Sequence, residues 1–240
     1  MRTSRRGDDL AIRERVAKGV RVLCREGLIR NAGHISVRPP DADWFWTPRH
    51  LHIGLESLGP GDIIACDLKG RVIDSPWEAP GERFIHTEMF AARPDVSAVC
   101  HFHPSIATVF SIAGKPLLPV LMQGAHLGSI PIYDRPEPVE SPEQGRALAA
   151  ALGKAPAVLM RGHGAVTVGQ SVEEVCAAAV VLEETARMQL LASLLGKPQV
   201  IDLAGKEEIF RMAFAHFVDV FWSHHTQQPE GQAMLTGRLL

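Results

Sequence analysis

The chain has 240 residues, 46% of them hydrophobic and 22% charged, the composition of a globular protein with a substantial core. A formal charge of −2, with no basic run beyond the short arginine-containing N-terminus, points away from nucleic acid and from anionic membrane surfaces. No apolar stretch approaches the length of a membrane span, and the polar Met1 to Asp9 precedes no signal-peptide core, so the expected address is cytoplasmic.

In chain order, Asp8 or Asp9 is expected to cap a first helix whose apolar positions Ile12, Val16, Val20 and Leu23 recur at helical steps, with Gly27 as its stop. His34 to Arg38 alternates like a strand and ends at Pro39 and Pro40. Trp44 to Thr47 and Asp62 to Leu68 read as further strands, and Lys69-Gly70 as a tight turn into Arg71 to Ile73, giving an antiparallel hairpin. A helix from Gly81 carries Glu82, Ile85, His86, Met89 and Phe90 on one side and closes at Arg93-Pro94.

Ser97 to His103 is a short buried strand stopped by Pro104, and Ser105 to Ile112 a short helix. Two apolar strands, Leu117 to Met122 and Ser129 to Tyr133, flank a loop with Gly124, His126 and Gly128. Ser141-Pro142-Glu143 opens a helix that runs to Gly153. Ala157 to Met160 and Ala165 to Val168 are strands on either side of Arg161-Gly162-His163-Gly164. Ser171 and Glu174 form a capping box for a long helix ending at Gly196, and a last helix spans about Lys206 to His224. No linker or repeat separates these elements, so residues 1–240 read as one α/β domain with a mixed sheet, its C-terminal helix and tail covering about 205–240.

The cysteines Cys24, Cys66, Cys100 and Cys176 lie in apolar segments without Cys-x-x-Cys spacing and read as buried thiols. Histidine is the unusual residue: eleven occur, against one tyrosine. His101 and His103 alternate on a strand and therefore project from one face about 6.6 Å apart, a spacing that suits two imidazoles meeting one metal ion. Taken alone, the pair reads equally as two hydrogen-bonded histidines beside a core. His163 between two glycines, and Glu82 with His86, supply further metal-competent groups. Three imidazoles and a carboxylate make the donor set of a catalytic divalent site.

The segments Asn31-Ala-Gly-His-Ile-Ser-Val-Arg38, Pro80-Gly-Glu82 with His86, Arg93-Pro-Asp95, His101-Phe-His103-Pro104 and Gly162-His-Gly164 resemble the class II aldolase/adducin family in order and spacing, over about residues 10 to 200. The resemblance implies a class II aldolase-like three-layer α/β/α fold around a central, mainly antiparallel mixed sheet. It also implies a homotetramer with active sites at subunit interfaces. His101, His103 and His163 match the family's metal ligands, and Glu82 matches its glutamate, which ligates the resting metal and acts as acid/base. Three histidines suit Zn2+, while an added carboxylate and substrate oxygens suit Mn2+.

Departures from the sugar-phosphate aldolase pattern narrow the expectation. His34, Thr47-Pro-Arg49-His50 and Pro80-Gly81 stand where those aldolases gather phosphate-binding amides and hydroxyls, which argues against a phosphorylated sugar. Their catalytic tyrosine has no counterpart, leaving His126 as the candidate proton donor. With Gly81 to Thr87, these features resemble the branch that decarboxylates hydroxylated aromatic dicarboxylates, with 3-hydroxy-2-methylpyridine-4,5-dicarboxylate the favoured substrate and 3,4-dihydroxyphthalate the other. Arg49, with His50 and His52, is the candidate partner of a substrate carboxylate, although it reads equally as a solvated loop arginine. His34 and Arg161 complete the candidate substrate contacts, and His34 and His86 also read as structural groups behind the ligands. An aldolase or epimerase acting on a sugar or hydroxy-keto acid is the alternative enzyme. A non-catalytic scaffold like the family's adducin heads is the third reading, set against the intact histidines and Glu82.

Overall fold

The computed structural model describes residues 2–50, 54–73 and 75–227. Seven strands, β1 (His34–Val37), β2 (Trp44–Pro48), β3 (Ile63–Asp67), β4 (Ala98–Phe102), β5 (Ile132–Tyr133), β6 (Ala157–Met160) and β7 (Gly164–Gly169), form one sheet in the order β3-β2-β1-β4-β7-β6-β5. Every pairing is antiparallel except β5 with β6. Six helices cover it: α1 (Arg2–Arg25), α2 (Arg83–Ala92), α3 (Ser105–Ile112), α4 (Pro142–Leu152), α5 (Val172–Leu195) and α6 (Glu207–Gln227).

The strands are nearly continuous apolar runs because both faces of the sheet are covered. On one face Val20 and Leu23 of α1 and Val175 and Leu182 of α5 pack with Ile35, Cys100 and Phe102. On the other, Ile85, Met89 and Phe90 of α2 and Leu148 and Leu152 of α4 pack with Phe45, Val99 and Val166. Burying each such large side chain contributes about 1.5–3 kcal/mol before entropy is counted. This is the expected three-layer α/β/α arrangement around a mainly antiparallel mixed sheet. The four cysteines are free thiols, three of them buried, and no helix among the described residues is long and apolar enough to cross a membrane.

Several boundaries differ from the expectation. Helix α1 begins at Arg2 rather than at Asp8 or Asp9; arginine is a good helix former, and the acidic residues continue the helix instead of capping it. Arg71 to Ile73 adds a single bridge, Cys66 to Val72, after a turn at Gly70 with φ 78°. Leu117 to Met122 is not a strand. Only Leu117 bridges to Ile130, because Pro116 and Pro119 cannot donate to a ladder. The Gln189 side chain serves this segment instead, accepting from the Leu118 N–H at 2.7 Å and donating to the Pro116 carbonyl at 3.0 Å. Ser171 caps α5 as read, accepting from the Glu174 N–H, but the Glu174 carboxylate reaches the Gln170 N–H.

Candidate metal centre and adjoining cleft

Strand β4 points His101 to the α2/α4 face, the face of Val99, because side chains alternate along a strand. His103 lies just beyond the strand, where its N–H donates to the Leu28 carbonyl at 2.9 Å. His163 comes from the turn between β6 and β7, in which Gly162 has φ 66° and the His163 N–H donates to the Met160 carbonyl. Pairing of β4 with β7 brings this turn against the other two histidines.

The three rings lie 4.8, 5.0 and 5.5 Å apart between centroids, and one ligand nitrogen from each falls within 4.8 Å of the others. Two tautomers are set by the backbone. The His101 Nδ1–H donates to the Ala165 carbonyl at 3.1 Å and that of His103 to the Ala32 carbonyl at 3.0 Å, leaving both Nε2 lone pairs for a ligand. His101 Nε2 is buried with no hydrogen-bond partner, as is His163 Nδ1. An orphaned buried nitrogen inside a cluster of imidazoles is what a divalent ion would satisfy, so the donor set fits one.

Glu82 stands at the N-terminus of α2 rather than on its face. Its Oε2 lies 3.4 Å from His101 Nε2 and its Oε1 3.6 Å from His163 Nε2. The Val139 N–H donates to Oε1 at 3.0 Å. Burial pushes the Glu82 carboxyl up, but the facing imidazoles of His101 and His163 outweigh it and hold the group well below the usual carboxylate range. Burial, with His101 beside it, lowers His103 to about 4, so the ring is neutral and fit to ligate.

Beside Glu82 opens a cleft of about 360 Å³ whose walls include Asn31, His34, Arg49, His50 and Glu140. The Arg49 Nε–H donates to Asp62 at 2.9 Å, and its guanidinium lies 4.5 Å from the centre of the Trp77 ring. The His50 N–H donates to the Glu78 carbonyl, and His52 lies outside the described residues. His34, opposite His101 on β1, is buried and hydrogen-bonded to His86 at 2.5 Å. Burial, with His86 and His101 nearby, lowers His34 well below its ordinary value, and His86 falls to about 3 for the same first reason.

Two expected site residues stand apart from this group. Arg161 pairs with Asp134 at the start of the His163 turn. His126 lies in a short 3-10 turn, Ala125–Leu127, and stacks on Phe214 of α6 at 4.9 Å; it is not among the residues that line the cleft. Two further groups complete the site without a sequence signal: the Val139 N–H, which fixes Glu82, and Glu140 in the cleft. Both directly precede Ser141, the cap of α4, and nothing in their residue types marks them.

Residues 14–190 match the family of the class II aldolase and adducin N-terminal domain. The chain is 32% identical over 223 residues to the 3,4-dihydroxyphthalate decarboxylase of Rhodococcus jostii, covering 87% of this chain and 92% of that one. It is 28% identical to the 5-methylthioribulose-1-phosphate/5-deoxyribulose-1-phosphate aldolase of Rhodospirillum rubrum, covering 85% and 91%. A solved L-fuculose 1-phosphate aldolase shares the fold with a TM-score of 0.76 at 21% identity, covering 85% of this chain and 96% of that one. The chain belongs to the class II aldolase and adducin family. It stands among that family's carbon–carbon lyases, represented here by decarboxylases and aldolases.

Proposed function

We propose that the protein is a metal-dependent decarboxylase of a hydroxylated aromatic dicarboxylate, with His101, His103, His163 and Glu82 holding Zn2+ or Mn2+. The observation that carries this reading is the orphaned, buried His101 Nε2 facing Glu82 beside a cleft that also contains Arg49. When bound, a divalent ion supplies Lewis-acid stabilisation of the negative charge that develops on oxygen as a carbon–carbon bond breaks. Glu82, its carboxylate held by the Val139 N–H, would take the proton of the substrate's ring hydroxyl and return it to the ring carbon as the carboxylate there leaves as carbon dioxide. Arg49, stacked on Trp77, offers a planar cation to the second carboxylate, with His50 and His34 as neighbours along the cleft wall.

Of the two substrates that the family resemblance offers, similarity to decarboxylases of 3,4-dihydroxyphthalate in Rhodococcus jostii and Arthrobacter keyseri favours that compound over 3-hydroxy-2-methylpyridine-4,5-dicarboxylate. The active form is a homotetramer with its sites between subunits. Val109 and Ile112 of α3, large apolar residues left exposed, support this; Ile112 lies against the Gly162 turn that carries His163.

The test is release of carbon dioxide from each dicarboxylate by the metal-loaded protein, with His103→Ala as control. Carbon dioxide from 3,4-dihydroxyphthalate, lost in the variant, supports the proposal. Aldehyde release from a sugar or sugar phosphate, without decarboxylation, replaces it with an aldolase.

A further inference from the structure

Behind the cleft wall three buried side chains form one hydrogen-bonded row. Ser36 Oγ lies 2.5 Å from His86 Nδ1, and His86 Nε2 lies 2.5 Å from His34 Nδ1. Ser36 and His34 are two apart on β1 and so share a face, and His86 comes down onto that face from the first turns of α2. Ser36 and His86 have no exposed surface, whereas His34 keeps 7% of its own and lines the cleft. Burial disfavours charge on either ring, and a neutral imidazole donates from one nitrogen only.

The inner end of the row decides its direction. Among the described residues the Ser36 hydroxyl has no hydrogen-bond partner except His86 Nδ1. Its proton is therefore donated there or stranded in the core, and a stranded donor costs about 1–3 kcal/mol. With Ser36 donating to Nδ1, His86 carries its proton on Nε2 and donates to His34 Nδ1. His34 then carries its proton on Nε2, the nitrogen left for the cleft. The opposite direction satisfies the two rings but leaves the serine proton with no acceptor.

The geometry points to Ser36 and His86 as positioning residues that lock His34 as a neutral Nε2–H donor in the cleft, where it hydrogen-bonds a carboxylate or phenolate oxygen of the substrate. The His34 ring is 5.3 Å from that of His101, so a neutral donor recognises an oxyanion there without placing a second cation against the metal centre. The identity of the oxyanion rests on the aromatic-acid reading above. The direction of the row does not.

Nitrogen-15 NMR of histidine-labelled, zinc-loaded protein reads the tautomers directly, with His34 signals assigned by their loss in His34→Gln. A proton on Nε2 of both His34 and His86 is the expected result; a proton on His34 Nδ1 overturns the inference. In Ser36→Ala the direction is no longer imposed, so both His34 tautomers are expected. Binding of phthalate, used as a simple aromatic dicarboxylate, should then weaken about tenfold, the scale of one lost hydrogen bond. An unchanged His34 tautomer in folded Ser36→Ala overturns the role of the serine. Nε2–H on His34 together with no phthalate binding by the unaltered protein supports the row and overturns the aromatic-acid reading.

Discussion

Gly164 sits so close to Phe102 that a Cβ on the glycine would lie 2.5 Å from the Phe102 carbonyl oxygen, and 3.0 Å from Cδ2 of His103. The contact is with backbone and cannot be relieved by a side-chain rotation. Gly164→Ala must therefore push the His163 turn away from β4, and overpacking of this kind costs about 1–3 kcal/mol. We expect a lower melting temperature and metal affinity reduced about 10- to 100-fold, the range seen when groups supporting a ligand are disturbed. A competition titration with a chromogenic chelator measures the second effect. Wild-type affinity in Gly164→Ala would show that the close approach does not hold the histidines together.

Glu82→Gln keeps the shape of the side chain and an acceptor for the Val139 N–H, while removing the charge and the proton-carrying carboxylate. Turnover should fall by about 10²- to 10⁴-fold, the usual contribution of a positioned acid/base. Metal analysis alongside the kinetics separates lost chemistry from lost metal.

Arg49→Lys retains the charge but loses the planar fork and its stacking on Trp77. A group that binds the second carboxylate equally in ground and transition states should raise KM, by about tenfold, with kcat little changed. Steady-state kinetics on 3,4-dihydroxyphthalate reads the split; an unaltered KM would return Arg49 to a purely structural pairing with Asp62.

Among the described residues five histidines, His34, His86, His103, His126 and His225, are held below their ordinary value in the folded chain, each chiefly because burial disfavours its charged form, with His86 lowered to about 3 and His103 and His225 to about 4. The unfolded chain binds their protons near pH 6.5, so between about pH 6.5 and 4 it holds more protons than the folded one. Stability of the metal-free protein should consequently rise with pH across that window and be lost on acidification through it. Calorimetric melts at stepped pH test the sign; a melting temperature that increases toward pH 4 contradicts it.

Removing the ion should destabilise the fold by mass action, about 2.7 kcal/mol for free metal at 100 times its Kd. Thermal melts with and without a chelator measure this. The difference should shrink in His103→Ala, which removes one of the four proposed ligands.

The paired histidines were legible from their His-x-His spacing, although β4 ends at Phe102 and His103 lies just beyond it, with the two rings 4.8 Å apart. His163 was legible from its flanking glycines, and Glu82 from the family pattern around it. What sequence could not give was placement that depends on distant backbone. The Val139 N–H reaches Glu82 through a loop with no motif. His126 rests on Phe214 only because α6 docks there. Likewise the apolar run from Leu117 has strand composition, but Pro116 and Pro119 deny it a ladder and a glutamine on α5 satisfies it instead.

The pairing of β4 with β7 has a kinetic consequence. His101 and His163 become neighbours only when Cys100 faces Thr167 and Phe102 faces Ala165 across that seam, contacts distant in sequence that form slowly in a folding chain. Opening of that seam would part His163, on the turn before β7, from His101 and His103, which share one continuous segment at the end of β4. An ion held by all three imidazoles would tie the end of β4 to the turn before β7 across that seam, a clasp independent of the backbone ladder.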